Sequence, residues 1–281
     1  MRDSSTLQQQ ALDSLNGVWL RRLVIVGIVA AVVLPLVPPL VYSFAGRLLF
    51  PSVLPSEWSP RAWAYVLAPR SRVLEAFFTS LLIASSVTAI SVLLGVPAGR
   101  GLASLPSALR GVLEFLFFAP IIVPALAVAL GLHVVFIRIG LSDTLFGVVA
   151  SHLLPALPYM VLVMTSTFSN ADDMLESQAR TLGAGPVRAF LSVGLPNAIP
   201  GVLTGALFVF LISWSQYALT LLIGGGRIVT LPILLFAFAS SGDYAITGAL
   251  SVVFLVPAVI ILAITARYLT GRSIAIAGVA K

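Results

Sequence analysis

The 281-residue chain has no cysteine, two histidines and one lysine, which is its last residue, Lys281. Without cysteine there is no disulfide and no thiolate metal site. His133 and His152 are too few for a multi-histidine metal centre, so no bound metal is expected. A phosphate-cradling P-loop needs a lysine directly after its glycines, at the start of a helix. Lys281 stands in no such place, so any ATP chemistry, with its magnesium, belongs to another polypeptide and no cofactor is expected on this one. Charge is scarce too. Only 9% of residues are charged, against about 25% in a soluble domain. Such a chain has too little polar surface to face water all round.

What is present is apolar: 59% of residues are hydrophobic, and the mean hydropathy is +1.08. Lipid is the medium in which that exterior is stable. The net charge of +6 comes from sixteen cations spread thinly between apolar runs. That distribution fits loops that orient a membrane protein and gives no reason to expect a nucleic-acid partner.

A spanning helix needs about 20 mostly apolar residues. Six segments qualify, predicting an all-α, multi-pass membrane protein. They run from about Leu23 to Ala45, Ala76 to Ala98, Val112 to Ile137, Leu145 to Phe168, Gly201 to Ile223 and Tyr244 to Ala266. The first follows Arg21 and Arg22 but is longer than a signal-peptide core and lacks a small-x-small cleavage site, so it reads as a retained anchor. The expected organisation is a cytoplasmic segment over 1–22, a six-helix membrane domain over 23–267 and a cytoplasmic tail over 268–281. With both termini inside, ten cations fall on inner segments and six on outer ones. The inner set includes Arg100, Arg110, Arg180 and Arg188. Between the first two spans, Trp58, Trp63 and Tyr65 predict a short amphipathic segment at the outer lipid–water boundary.

Residues 169–200, after the fourth span, are too polar to cross a membrane and too patterned for a plain loop. Ser169, Asn170, Asp172 and Asp173 supply capping oxygens and negative charge for a helix start. Leu175, Ala179 and Leu182 then make an apolar stripe at helical spacing. Gly183 is a helix stop, and Pro186 suits the first position of a second helix. Pro196 and Pro200 are expected to end that helix and return the chain to the membrane. Pattern alone leaves open whether this unit is an inert connector or a docking element.

The spacing resembles the cytoplasmic loop of the permease subunits of type I ABC importers, whose motif reads roughly E-A-A-x-x-x-G-A, followed by a hydrophobic residue and L-P. Ala179, Gly183, Ala184, Phe190, Val193, Leu195, Pro196, Pro200, Gly201 and Gly205 match it. Aligned on Gly183, the family's glutamate position holds Ser177 and its first alanine holds Gln178, while Glu176 stands one residue early. One residue is about 100° of helix rotation. The resemblance implies a six-span, non-catalytic bacterial inner-membrane subunit with a two-helix coupling loop, forming half of a solute pathway. Glu176, Ser177, Ala179, Gly183, Ala184, Phe190, Leu195 and Pro196 would seat in a separate ATPase. It also implies two ATP-binding subunits, a second permease (a relative rather than a copy) and an extracytoplasmic solute-binding protein. The wording ARTLGA and the prolines Pro120 and Pro124 are similar to the polyamine, ferric-iron, thiamine and phosphonate group. The closing ARYLTGRSIAIAGVAK is similar to sugar permeases.

For the solute path, the polar cluster Ser213, Trp214, Ser215, Gln216 and Tyr217 must face protein rather than lipid, either as pathway wall or as helix packing. His133 and His152 either line a path or bond between helices, and Glu114 either snorkels or pairs with Arg110. An ion-coupled carrier would place carboxylates or repeats at mid-membrane, and an intramembrane enzyme would need a nucleophile–base pair; neither pattern is evident.

Overall fold

The computed structural model describes residue 19 and residues 21–47, 54–171 and 173–279. Most of the expected N-terminal segment 1–22 lies outside them. The fold is nearly all helical. Among the described residues, five helices are long and apolar enough to cross a membrane: α1 (Arg21–Tyr42), α3 (Val73–Ala103), α6 (Leu145–Ser169), α8 (Pro186–Trp214) and the Tyr244–Leu269 part of α11 (Tyr244–Val279). A sixth crossing exists if the bent pair α4 (Ser107–Ile122) and α5 (Ala125–Arg138) counts as one span. Shorter helices are α2 (Arg61–Leu67), α7 (Asp173–Thr181), α9 (Ala218–Gly224) and α10 (Leu231–Ser241).

The third span departs from the expected single helix over Val112 to Ile137. Its two halves meet at 93°. Proline disfavours helical backbone in the residue before it, and Val123, preceding Pro124, is extended at φ −73° and ψ 138°. Pro124 is extended as well, at ψ 127°. Two extended residues in a row are enough to turn the chain.

The chain divides into two compact units. One contains residues up to 66 together with 238–252. Here a small antiparallel hairpin pairs β1 (Ala45–Arg47) with β2 (Glu57–Trp58), followed by α2. The sequence predicted only an amphipathic segment. Trp58 is exposed, as expected of a boundary residue, but Trp63 donates from Nε1 to Ser43 Oγ at 3.2 Å and packs on Phe44. Arg61 pairs with Asp243 at 3.0 Å, and Asp243 also accepts from the Ile246 amide, capping the start of α11. Helix α11 continues to Val279, so no break separates the expected tail at 268 from the last span.

The other unit contains 67–237 and 253–281. Its centre is α6, with His152, Ala156, Met160 and Met164 buried at four-residue spacing, which is one face of a helix. Two neighbours approach it on glycine pairs. On α3, Gly95 and Gly99 lie against Met160 and Met164; a Cβ on Gly99 would sit 2.5 Å from Met164 Cβ and 2.8 Å from Thr165 N. On α8, Gly201 lies against Thr167 and Gly205 against Met160 Sδ. Lipid gives helices little hydrophobic reason to associate, so small residues four apart, which let backbones come close, are the usual device. Thr144 caps α6, its Oγ1 accepting from the Gly147 amide at 3.0 Å.

Candidate functional site

The polar stretch after α6 folds as the helix pair that its pattern predicts. Helix α7 ends in a Schellman turn, with the Ala184 amide bonded to Ala179 O and the Gly183 amide to Arg180 O, both at 3.0 Å. Gly183 holds φ +91° in open space. Backbone conformation, not crowding, is thus the reason for glycine there. Pro186 then opens α8.

The expected end of that second helix at Pro196 and Pro200 does not occur. Helix α8 runs unbroken from Pro186 to Trp214, so the second helix of the pair and the fifth expected span are one rod. Proline inside a helix lacks its amide donor and crowds the carbonyl four residues back. Residues Phe190–Gly194 widen into a π turn just ahead of Pro196, with the Leu195 amide bonded five residues back to Phe190 O. That wider turn accommodates the ring without a break.

Phe190, which matches the family motif, and Glu176, which stands one residue before its glutamate position, both turn toward the chain's own body. Glu176 Oε2 accepts from Arg100 Nη2 at 2.7 Å, and the Arg100 guanidinium lies 4.2 Å over the Phe190 ring. Phe190 in turn meets Phe168 of α6 at 6.1 Å. Arg100, at the C-terminal end of α3, was visible in the sequence only as an inner-loop cation. A cavity of about 470 Å3 lies beside this group, bounded by Arg100, Thr167, Asn170, Glu176 and Asn197. Apolar side chains are left outward among polar ones: Met174, Leu182 (89% exposed), Val187 (69%) and Leu191 stand exposed beside Gln178, Arg180 and Arg188. Ser177 is exposed and Ala179 half-buried. Nearby, Arg110 donates to Ser169 Oγ at 2.9 Å rather than pairing with Glu114.

The second candidate region lies where α8 stops, at Trp214, and α9 restarts, at Ala218. Ser215 and Gln216 reach a cavity of about 320 Å3, together with Tyr159 of α6 and Pro120 and Val123 from the α4–α5 elbow. His133 does not line it. Trp214 is turned into the core instead, donating to Phe254 O at 3.1 Å and stacked between Phe210 and Phe254. Tyr217 packs on Phe236 at 4.5 Å. The buried His152 bonds between helices, Nδ1 to Ser213 Oγ and Nε2 to Thr220 Oγ1, each at 2.9 Å. Thr220 gives its one hydroxyl proton to Gln216 O, so it accepts from Nε2–H, and Ser213 donates to Nδ1. His152 thereby bridges the gap between α8 and α9.

Comparison with known proteins places this geometry. The family model "Binding-protein-dependent transport system inner membrane component" matches residues 91–274, which include the helix pair around Gly183 and the break at Ser215. The chain belongs to that family. Among curated relatives, the permease is 34% identical over 151 residues to the molybdate/tungstate transport system permease of Thermococcus kodakarensis, covering 54% of this chain and 61% of the relative. The permease spans about three fifths of the length of the molybdate/tungstate relatives it matches. It is 29% identical to the molybdenum transport system permease of Mycobacterium tuberculosis over 75% of this chain and 84% of that one. To the putrescine transport system permease of Escherichia coli it is 26% identical, over 85% and 86%. In fold it is similar to a chain of a crystallised bacterial ABC transporter involved in alginate import, with a TM-score of 0.69 and 17% identity over 91% of this chain and 97% of that one. A chain of an inward-facing methionine ABC transporter gives a TM-score of 0.58 at 15% identity, over 70% and 94%.

Proposed function

We propose that the protein is the membrane subunit of an ATP-driven importer, forming half of a solute pathway and carrying no catalytic activity of its own. The observation that carries this is the Gly183-jointed helix pair with its outward apolar residues Met174, Leu182, Val187 and Leu191, within the stretch matched by the family model. Several large apolar side chains left exposed on one otherwise polar loop support a docking role. Its partner is an ATP-binding subunit that holds ATP and magnesium, one copy under each of two permease chains. The second permease is a relative of this one, and an extracytoplasmic binding protein delivers the solute. The loop and both termini are cytoplasmic in the bacterial inner membrane, in keeping with the cation distribution.

For the solute, a molybdate-type oxyanion has the stronger support, from the 34% identical relatives and from a cavity whose polar lining of Tyr159, Ser215 and Gln216 includes no carboxylate. A polyamine is the second reading, supported by the putrescine permease that aligns over 85% of this chain. Coexpression with the ATPase and permease genes next to this one, followed by purification, tests the class. The ATPase should copurify and hydrolyse ATP. Its absence from every preparation refutes the importer reading. Hydrolysis in vesicles, stimulated by binding protein loaded with molybdate or with putrescine, then separates the two solutes.

A further inference from the structure

We infer that Arg100 is a positioning residue that locks both coupling helices to α3, so that the loop and the bundle move as one body. This rests on the importer reading above and adds to it the internal route by which a push on the loop reaches α3. Helix α7 is mostly exposed: of its described residues only Glu176 and Ala179 are half-buried. Its one ion pair among the described residues is Glu176 with Arg100, at 2.7 Å. The same guanidinium lies 4.2 Å over Phe190 in α8. One side chain from α3 thus holds the first coupling helix by charge and the second by its flat face, a combination that arginine's planar fork allows and lysine's point charge does not.

The surroundings are shaped for this contact. Gly194 is buried opposite Glu176, and a Cβ there would collide with Glu176 Oε1. A side chain at 194 would therefore push the carboxylate out of its present notch. Phe190 also packs on Phe168, so the clamp reaches α6. The register of α7 explains why this acid is free for the task. Glu176 and Ser177 lie about 100° apart around the helix, and Glu176 is the more buried of the two. The position equivalent to the family's glutamate is the outward one, Ser177, and the acid beside it faces inward.

The test uses the full chain in complex with its ATPase subunits, in lipid nanodiscs. The chain has no cysteine, so on this chain nitroxides go only to Gln178→Cys of α7, an exposed position apart from the outward apolar residues, and to Leu93→Cys of α3, which is 74% exposed. Pulsed spin-resonance distances are read with and without ATP and vanadate. With Arg100 and Glu176 intact, the separation between labels stays the same while the complex closes. In Glu176→Gln, and more so in Arg100→Ala, it shifts and broadens on ATP addition, and the efficiency with which binding protein stimulates hydrolysis falls on the order of ten-fold, the usual size of a coupling term. Arg100→Lys keeps the charge and recovers only part of the behaviour. Identical distance distributions in the parent and in Glu176→Gln, with stimulation unchanged, overturn the clamp while leaving the importer reading intact. Failure of the parent chain to bind any ATPase refutes both.

Discussion

Replacing Gly99 by alanine should loosen the bundle, whereas the same change two residues away, at Gly101, should not. A Cβ on Gly99 would lie 2.5 Å from Met164 Cβ, 2.8 Å from Thr165 N and 2.9 Å from Met164 C. Carbon atoms pack well at about 3.5–4.0 Å, so the shortfall is about 1 Å. Two of the three atoms are backbone, which no rotamer change can move. Helices α3 and α6 must therefore separate, and the Gly95–Met160 contact one turn away loosens with them. Overpacking of this kind costs about 1–3 kcal/mol. Alanine's better helix propensity returns up to about 1 kcal/mol, leaving a net loss of about 1 kcal/mol. Gly101 has the same helix but open space around its Cβ, so Gly101→Ala keeps only the propensity gain. The assay is the melting temperature of the purified chain in detergent. A shift of about 2 °C per kcal/mol puts Gly99→Ala below the parent and Gly101→Ala level with it or above. Equal behaviour of the two variants refutes the close-crossing account of this interface.

Four further outcomes follow from the same contacts. Gly183→Ala meets no steric obstacle, so its cost of about 1 kcal/mol comes from left-handed backbone alone; the chain should melt about 2 °C below the parent and show weaker ATPase copurification, and Gly183→Asn should be milder. His152→Phe strands the Ser213 hydroxyl and removes the donor to Thr220 beside the gap between α8 and α9, at about 1–3 kcal/mol, readable as a lowered melting temperature that His152→Gln partly restores. Trp214→Ala empties a stacked site between Phe210 and Phe254 and should cost about 3–5 kcal/mol, enough to abolish a monodisperse peak on gel filtration. Arg61→Ala breaks a pair with Asp243 that water reaches, with the arginine side chain 54% exposed; its effect should stay within about 1 kcal/mol and vanish in high salt.

The sequence revealed existence and type of element better than connection. Long apolar runs allow little besides spanning helices, so α1, α3, α6 and α11 fall near where hydropathy alone puts them. Gly183 and Pro186 were equally legible, because each residue has one strong local preference and the structure satisfies it. The misses share a cause. Val123–Pro124 turns the third span by 93°, yet Pro97, Pro155, Pro158 and Pro257 sit inside continuous helices. The same residue type bends one helix and is absorbed by another, depending on what packs beside it. Pro196 shows the same dependence, since a π turn upstream lets α8 run through it. Glu176 was read as a near-miss at a docking position, because nothing in one dimension marks Arg100, 76 residues earlier in the chain, as its partner.

These contacts also decide where the membrane part can change shape. Helices α3, α6 and α8 are joined at two glycine faces and again at their loop-side end by Arg100, Phe190 and Phe168. Close packing of this kind deforms poorly, so a force on the loop displaces the three helices together rather than bending them. Among the helix breaks of this unit, Val123–Pro124 and Ser215–Tyr217 both border the cavity that holds Tyr159 and Gln216. Interrupted helices have few ladder hydrogen bonds to break, and hinges absorb their dihedral change at such element ends. His152 spans the second interruption through Ser213 and Thr220, which limits how far α9 can swing from α8. On the importer reading proposed above, the stiff bundle would deliver the motion, and these two interruptions would convert it into a change of the cavity's walls.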